Sequence, residues 1–99
     1  MLYNAYMKNN KTKTAKQLER HFKGVANHWR IAILSIVHHN EEITVDGIAK
    51  ELNANFKTIS QHTKALVQAG LLNKKYRGRH VTHSLSPYGK SFLTFMKTF

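Results

Sequence analysis

The chain has 99 residues, 16 Lys and Arg against five Asp and Glu for a formal charge of +11, 41% hydrophobic residues and no cysteine. That length normally makes one domain with one modest core, and this apolar and aromatic content excludes compositional disorder. Without cysteine there are no disulfides, thiolate metal sites or thiol catalysis; no apolar run nears the roughly 20 residues that span a bilayer, no secretory signal opens the chain, and a soluble cytoplasmic protein is expected.

Residues 1–13 read as a flexible polar and aromatic arm ahead of a folded unit over 14–99. From about Thr14, Leu18, Phe22 and Val25 recur at i, i+4 and i+7, one apolar helical face that Gly24 interrupts near its end. Asn27 reads as an N-cap. The apolar run after it, Trp29 to Val37, is long and unalternating, which predicts a central helix. Asn40-Glu41-Glu42 is a turn. Thr44 opens a third helix, with Asp46 in its first turn, where an acid complements the helix dipole, and with Val45, Ile48, Ala49 and Leu52 as its buried face. Asn53-Ala54-Asn55 breaks that helix. Asn55 caps a fourth helix from about Phe56 to Ala69, which Gly70 ends. Leu71 to Arg77 and His80 to Leu85 read as two strands of a hairpin about Gly78. Ser86-Pro87 starts a last helix, along which Tyr88, Phe92, Phe95 and Phe99 fall at i, i+4, i+7 and i+11, with Leu93 and Met96 beside them. The fold class expected is mainly α with a small β-hairpin: a winged helix-turn-helix of five helices and a two-stranded wing.

Charge is divided unevenly along this order. All five acids fall in the first 51 residues among eight Lys and Arg, whereas residues 52–99 carry the other eight Lys and Arg and no acid. A surface of one sign draws polyanions such as nucleic acid. A DNA major groove about 12 Å wide admits one helix, whose N-terminal residues meet base edges. In the fourth helix Ile59 and Leu66 face inward with Thr63 between them, leaving Lys57, Thr58, Gln61, His62 and Lys64 outward. Gln61 can pair bidentately with adenine, while Lys57 and Lys64 suit guanine or phosphate. Ser60 reads either as a phosphate contact near the helix start or as a packing residue. On the hairpin Arg77 and Arg79 flank Gly78, with Lys75 behind them, and suit phosphate or a narrow minor groove.

The residues also carry a resemblance. Ala26 to Leu34 looks like the opening stretch of the ArsR-type winged-helix repressors, and Val45-Asp46-Gly47-Ile48-Ala49-Lys50-Glu51-Leu52 resembles their V-x-x-L-A-x-x-L helix. Lys57 to Leu72, with Ser60-Gln61-His62 and Ala69-Gly70-Leu71, is similar to their S-x-H and A-G-L run, and the Arg77-Gly78-Arg79 tip fits as well. The likeness covers roughly residues 18–85. It implies a homodimer on palindromic operator DNA, paired through the first and last helices, for which Leu18, Phe22, Tyr88, Phe92, Phe95 and Phe99 are the candidate interface. Two departures follow from the same comparison. The sensory Cys-x-Cys of the family would fall at Thr44 and Asp46, and no acid or histidine lies beyond His83 to make the family's alternative site on the last helix. Thr63 stands where the family usually has a buried leucine.

The seven histidines offer no metal site by spacing: His38 and His39 are adjacent, Gly24 and the break at Asn27 spoil the alignment of His21 with His28, and His80 and His83 take opposite faces of a strand. His62 reads as a phosphate or packing residue. The acids and serines form no catalytic constellation, so no enzyme, metal or cofactor is expected, and the effector is unnamed. Double-stranded DNA is the expected partner of a sequence-specific transcription regulator. The competing classes are a sequence-blind, chromatin-like nucleic-acid binder and a winged-helix protein-interaction module.

Overall fold

Short polar side chains set where each helix starts, because they satisfy the first free backbone N–H groups. The structure is a computed structural model that describes residues 13–99. Helix α1 (Ala15–Val25) opens on a capping box: the Thr14 hydroxyl accepts from the Gln17 N–H at 3.2 Å, and Gln17 Oε1 accepts from the Thr14 N–H at 2.8 Å. Asn27 Oδ1 accepts from the Trp29 N–H at 2.9 Å to start α2 (His28–His39). Thr44 does the same for α3 (Val45–Leu52) through Gly47, and Asn55 for α4 (Phe56–Gln68) through Thr58. Strands β1 (Leu72–Arg77) and β2 (His80–Leu85) follow, and Ser86 caps α5 (Pro87–Thr98) with its hydroxyl on the Gly89 N–H. The elements keep the predicted order. Of the expected arm, residues 1–12 lie outside the described residues, and Lys13 sets its Nζ 4.0 Å above the Tyr88 ring.

Helix α2 is central, as its nearly all-round apolar sequence predicts. Ile33, Leu34 and Val37 are fully buried and meet Ile48 of α3, Ile59 and Leu66 of α4, and Leu71 in one core. The departure is Ile31, which stays exposed. Thr63 is buried among these side chains, and its hydroxyl has no hydrogen-bond partner among the described residues.

Gly24 does not interrupt α1. It sits inside the helix and is buried, and a Cβ there would collide with the Cβ of Ala69. Glycine is what lets α1 cross so close to the end of α4. Two α1 side chains then cap that end. Arg20 Nη2 donates to the Gln68 carbonyl at 2.6 Å, and the Nδ1–H of His21 donates to the Ala69 carbonyl at 2.6 Å. These carbonyls are among the last four of α4, which have no partner within the helix.

The hairpin pairs Leu72 with Leu85 through Arg77 with His80, antiparallel, about a two-residue turn in which Gly78 takes φ +61°. That positive φ suits glycine at the first turn position. The ladder starts at Leu72, one residue later than expected. Leu71 is fully buried, and its N–H donates to the Leu66 carbonyl at 2.9 Å, so its backbone closes α4. The in–out alternation of a strand fails in the middle of β2, where Thr82 and His83 are both buried. The cause is the segment before α3. The Ile43 carbonyl accepts from the His83 N–H and the Glu42 N–H donates to the His83 carbonyl, each at 2.9 Å, which covers the second face. Among the described residues no helix is long and apolar enough to cross a membrane.

Candidate nucleic-acid interface

The turn between α3 and α4 fixes how α4 is presented. Asn53 ends α3 in the left-handed conformation, φ 50°, which a short side-chain amide tolerates better than most residues. Ala54 and Asn55 then lead directly into α4. Ile59, Thr63 and Leu66 anchor the inner face, so Lys57, Gln61 and Lys64 are exposed, with Thr58, Ser60 and His62 half-buried at the flanks. Asn55, Phe56, Lys57, Ser60, Gln61 and Lys64 line one open depression of about 660 Å³. Phe56 had no part in the expected contact surface, yet its ring is 49% exposed there.

His62 is engaged by another helix. Arg30 Nε donates to His62 Nδ1 at 3.1 Å, while Arg30 Nη1 holds the Gly24 carbonyl at 3.2 Å. Desolvation first, then the charges of Arg30 and His28, lower the pKa of His62. A neutral imidazole whose Nδ1 accepts keeps its proton on Nε2, so His62 offers a hydrogen-bond donor rather than a positive charge. Arg30 carries the charge on that flank. Nothing in its spacing within an apolar run marks it, because the pairing spans 32 residues.

On the wing, Lys75 and Arg79 are exposed, but Arg77 is engaged: its Nη2 lies 2.8 Å from Glu42 Oε1. Glu42 itself sits at φ 69°, in the tight turn that carries Ile43 to β2. Lys74, also outside the expected set, borders a cleft of about 290 Å³ between α4 and the wing together with Ser60 and Lys64. Lys64 of α4 and Lys74 of the wing therefore border one cleft. The ion pairs among the described residues are Lys23–Glu19, Lys50–Asp46 and Arg77–Glu42, so Lys57, Lys64, Lys74, Lys75 and Arg79 face outward with no carboxylate partner there.

Residues 29–74 match the family model described as bacterial regulatory protein, arsR family. The matched stretch runs from the start of α2 into β1 and contains the α3–turn–α4 segment whole. The fold is similar to HlyU from Vibrio cholerae, with TM-score 0.76 and 26% identity over 85% of this chain and 91% of that one. It is also similar to the homodimeric winged helix-turn-helix DNA-binding domain of Mb0332 from Mycobacterium bovis, a possible ArsR-family transcriptional regulator (TM-score 0.76, 24% identity, 84% of this chain and 77% of that one). A third likeness is to the transcriptional repressor PagR of Bacillus anthracis (TM-score 0.74, 18% identity, 82% and 93% covered). At their lower identities the last two speak for the fold alone. Comparison with curated proteins gives no match.

Beyond the matched stretch, α1 and α5 bring the residues expected at a dimer contact together. Leu18, Phe22, Phe92 and Phe95, with Ser91, line an apolar groove of about 190 Å³. Phe22 and Phe92 meet edge to face with centroids 5.0 Å apart, so part of the stripe packs within the chain. Tyr88 stacks instead on His21, centroids 5.2 Å apart. Phe22, Tyr88 and Phe95 remain about half exposed and Phe99 almost fully so. Among the described residues no three His, Asp or Glu side chains converge to hold a metal ion.

Proposed function

We propose that this chain is a homodimeric, sequence-specific repressor that lays α4 in the major groove of double-stranded DNA and sets the wing on the flanking backbone or minor groove. The single observation that carries this reading is the exposed row Lys57, Gln61 and Lys64, with Thr58 and Ser60 beside it, on a helix whose opposite face is anchored in the core. Gln61 supplies the paired donor and acceptor that suit adenine; the lysines and Ser60 suit guanine or phosphate. Arg79 and Lys75 add the wing contact, with Arg77 held in reserve on Glu42, and His62 contributes as a neutral donor. The half-exposed aromatics of α1 and α5 support pairing of two copies, as does the homodimeric state of the similar Mycobacterium bovis domain. In this reading residues 14–99 act as one winged unit in the cytoplasm, with the arm ahead of it and no cofactor.

Selection of bound duplexes from a random-sequence library, followed by titration over a range of salt, tests it. Gln61→Ala is expected to change the preferred base at one position per half-site. Arg79→Ala is expected to weaken binding to every sequence alike and to lower the salt slope by about one. Equal losses for both variants on selected and random duplexes count against the reading. They would favour a sequence-blind binder, for which the acid-free second half of the chain is the supporting feature.

A further inference from the structure

We propose that Phe56 reads the 5-methyl group of a thymine in the major groove. The inference rests on the reading of α4 as the groove helix and names a base that helix prefers. Phe56 is the first residue of α4, at the end that meets base edges when such a helix enters the groove. It lines the same depression as Lys57 and Gln61, so residues one, two and six of the helix converge there.

The other side chains of that depression are all polar, and one of them is already committed, since Asn55 Oδ1 accepts from the Thr58 N–H at 3.1 Å. Phe56 is its one large apolar surface, and the core does not account for the ring, which is 49% exposed. It also borders a second depression, with Asp46, Ala49, Lys50, Asn53 and Ala54, at the junction of α3 and α4. Among the groups that base pairs present in the major groove, the thymine methyl is the apolar one. A half-exposed phenyl ring at this point is matched by that methyl and by none of the hydrogen-bonding edges.

The helix also sets a spacing. At about 1.5 Å rise per residue, Phe56 and Gln61 are about 7.5 Å apart along α4, or roughly two steps of a duplex that rises 3.4 Å per base pair. With α4 lying along the groove, the thymine is expected about two steps from the adenine that Gln61 pairs with.

The test replaces each thymine of a duplex selected by the wild-type protein with deoxyuridine, which keeps every hydrogen-bonding group and lacks only the methyl. At one thymine per half-site the wild type is expected to bind the deoxyuridine duplex about fourfold more weakly, the worth of one buried methyl group. Phe56→Ser should bind both duplexes equally, and Phe56→Leu should keep part of the preference. The scan on wild-type protein stands even if a variant fails to fold. Tolerance of deoxyuridine at every position, or a preference that survives unchanged in Phe56→Ser, overturns the inference while leaving groove reading by α4 intact. Failure to enrich any sequence overturns both together.

Discussion

Thr63 and His83 show how much depends on single buried polar atoms in this fold. The Thr63 hydroxyl is buried without a hydrogen-bond partner among the described residues, and a buried unsatisfied hydroxyl costs about 1–3 kcal/mol. Thr63→Val keeps the branched shape and removes the hydroxyl. It is expected to raise stability by about 1 kcal/mol, read as a higher urea midpoint at unchanged slope; a lower midpoint would mean that the hydroxyl has a partner in solution. His83 is the opposite case, with its backbone fully bonded and its ring buried. Desolvation, with the charge of Lys74, lowers its pKa below 6.5, while its contact with the Ile43 carbonyl opposes the shift. Below about pH 6.5 the unfolded chain then binds a proton that the folded chain resists, so stability present above that value is lost as pH falls through the window beneath it. Thermal melts between about pH 7.5 and about 5 should show Tm falling toward acid. His83→Gln should flatten the trend without abolishing it, because the pKa of His62 is lowered as well; an equally steep trend in the variant would place its origin elsewhere.

Among elements, α1 crosses close over the end of α4. Gly24 and Ala69 meet with no room for another carbon, and Arg20 and His21 hold the last carbonyls of α4 from the same side. Gly24→Ala is expected to destabilise the fold by about 1–3 kcal/mol through overpacking, and Ala69→Gly in the same chain should recover much of that loss. A double-mutant cycle in chemical denaturation checks it, and simple additivity of the two losses would refute the contact. The wing is tied more loosely. Its Arg77–Glu42 pair is about half exposed on both sides, a setting in which an ion pair is worth about 0–1 kcal/mol. DNA phosphate can therefore compete with Glu42 for Arg77 at small cost. This pairing was not legible from charge alone: Glu42 read only as a turn residue, and the bend there is what brings it to the wing.

For the molecule as a whole, the α1–α5 side is apolar where the α4–wing side is basic. Phe22, Tyr88, Phe95 and Phe99 remain largely uncovered in a chain this small, and an apolar cluster of that kind marks an interaction surface. Phe95→Glu places a charge at its centre without touching the core, since Phe95 is half exposed. The variant is expected to stay folded, to raise the dimer dissociation constant by at least about tenfold in sedimentation equilibrium, and to bind a two-half-site duplex more weakly. An unchanged dimer would move the pairing surface off these helices.

The helix starts, the five-helix order, the Gly78 hairpin and the inward face of α4 were all readable in the sequence, because each depends on residues within a turn or two of one another: a capping Thr, Asn or Ser, an apolar period, a glycine at a turn. The ArsR resemblance lay in the same local runs. Tertiary structure alone decided which of the candidate side chains are free. His62 is bonded by Arg30, 32 positions before it, and Arg77 is held by Glu42. Phe56 is left uncovered where the α3–α4 turn ends, and Gly24 becomes a contact rather than a break because α4 ends against it. Pairings over such separations are set by how the layers dock, and no local period or cap encodes them.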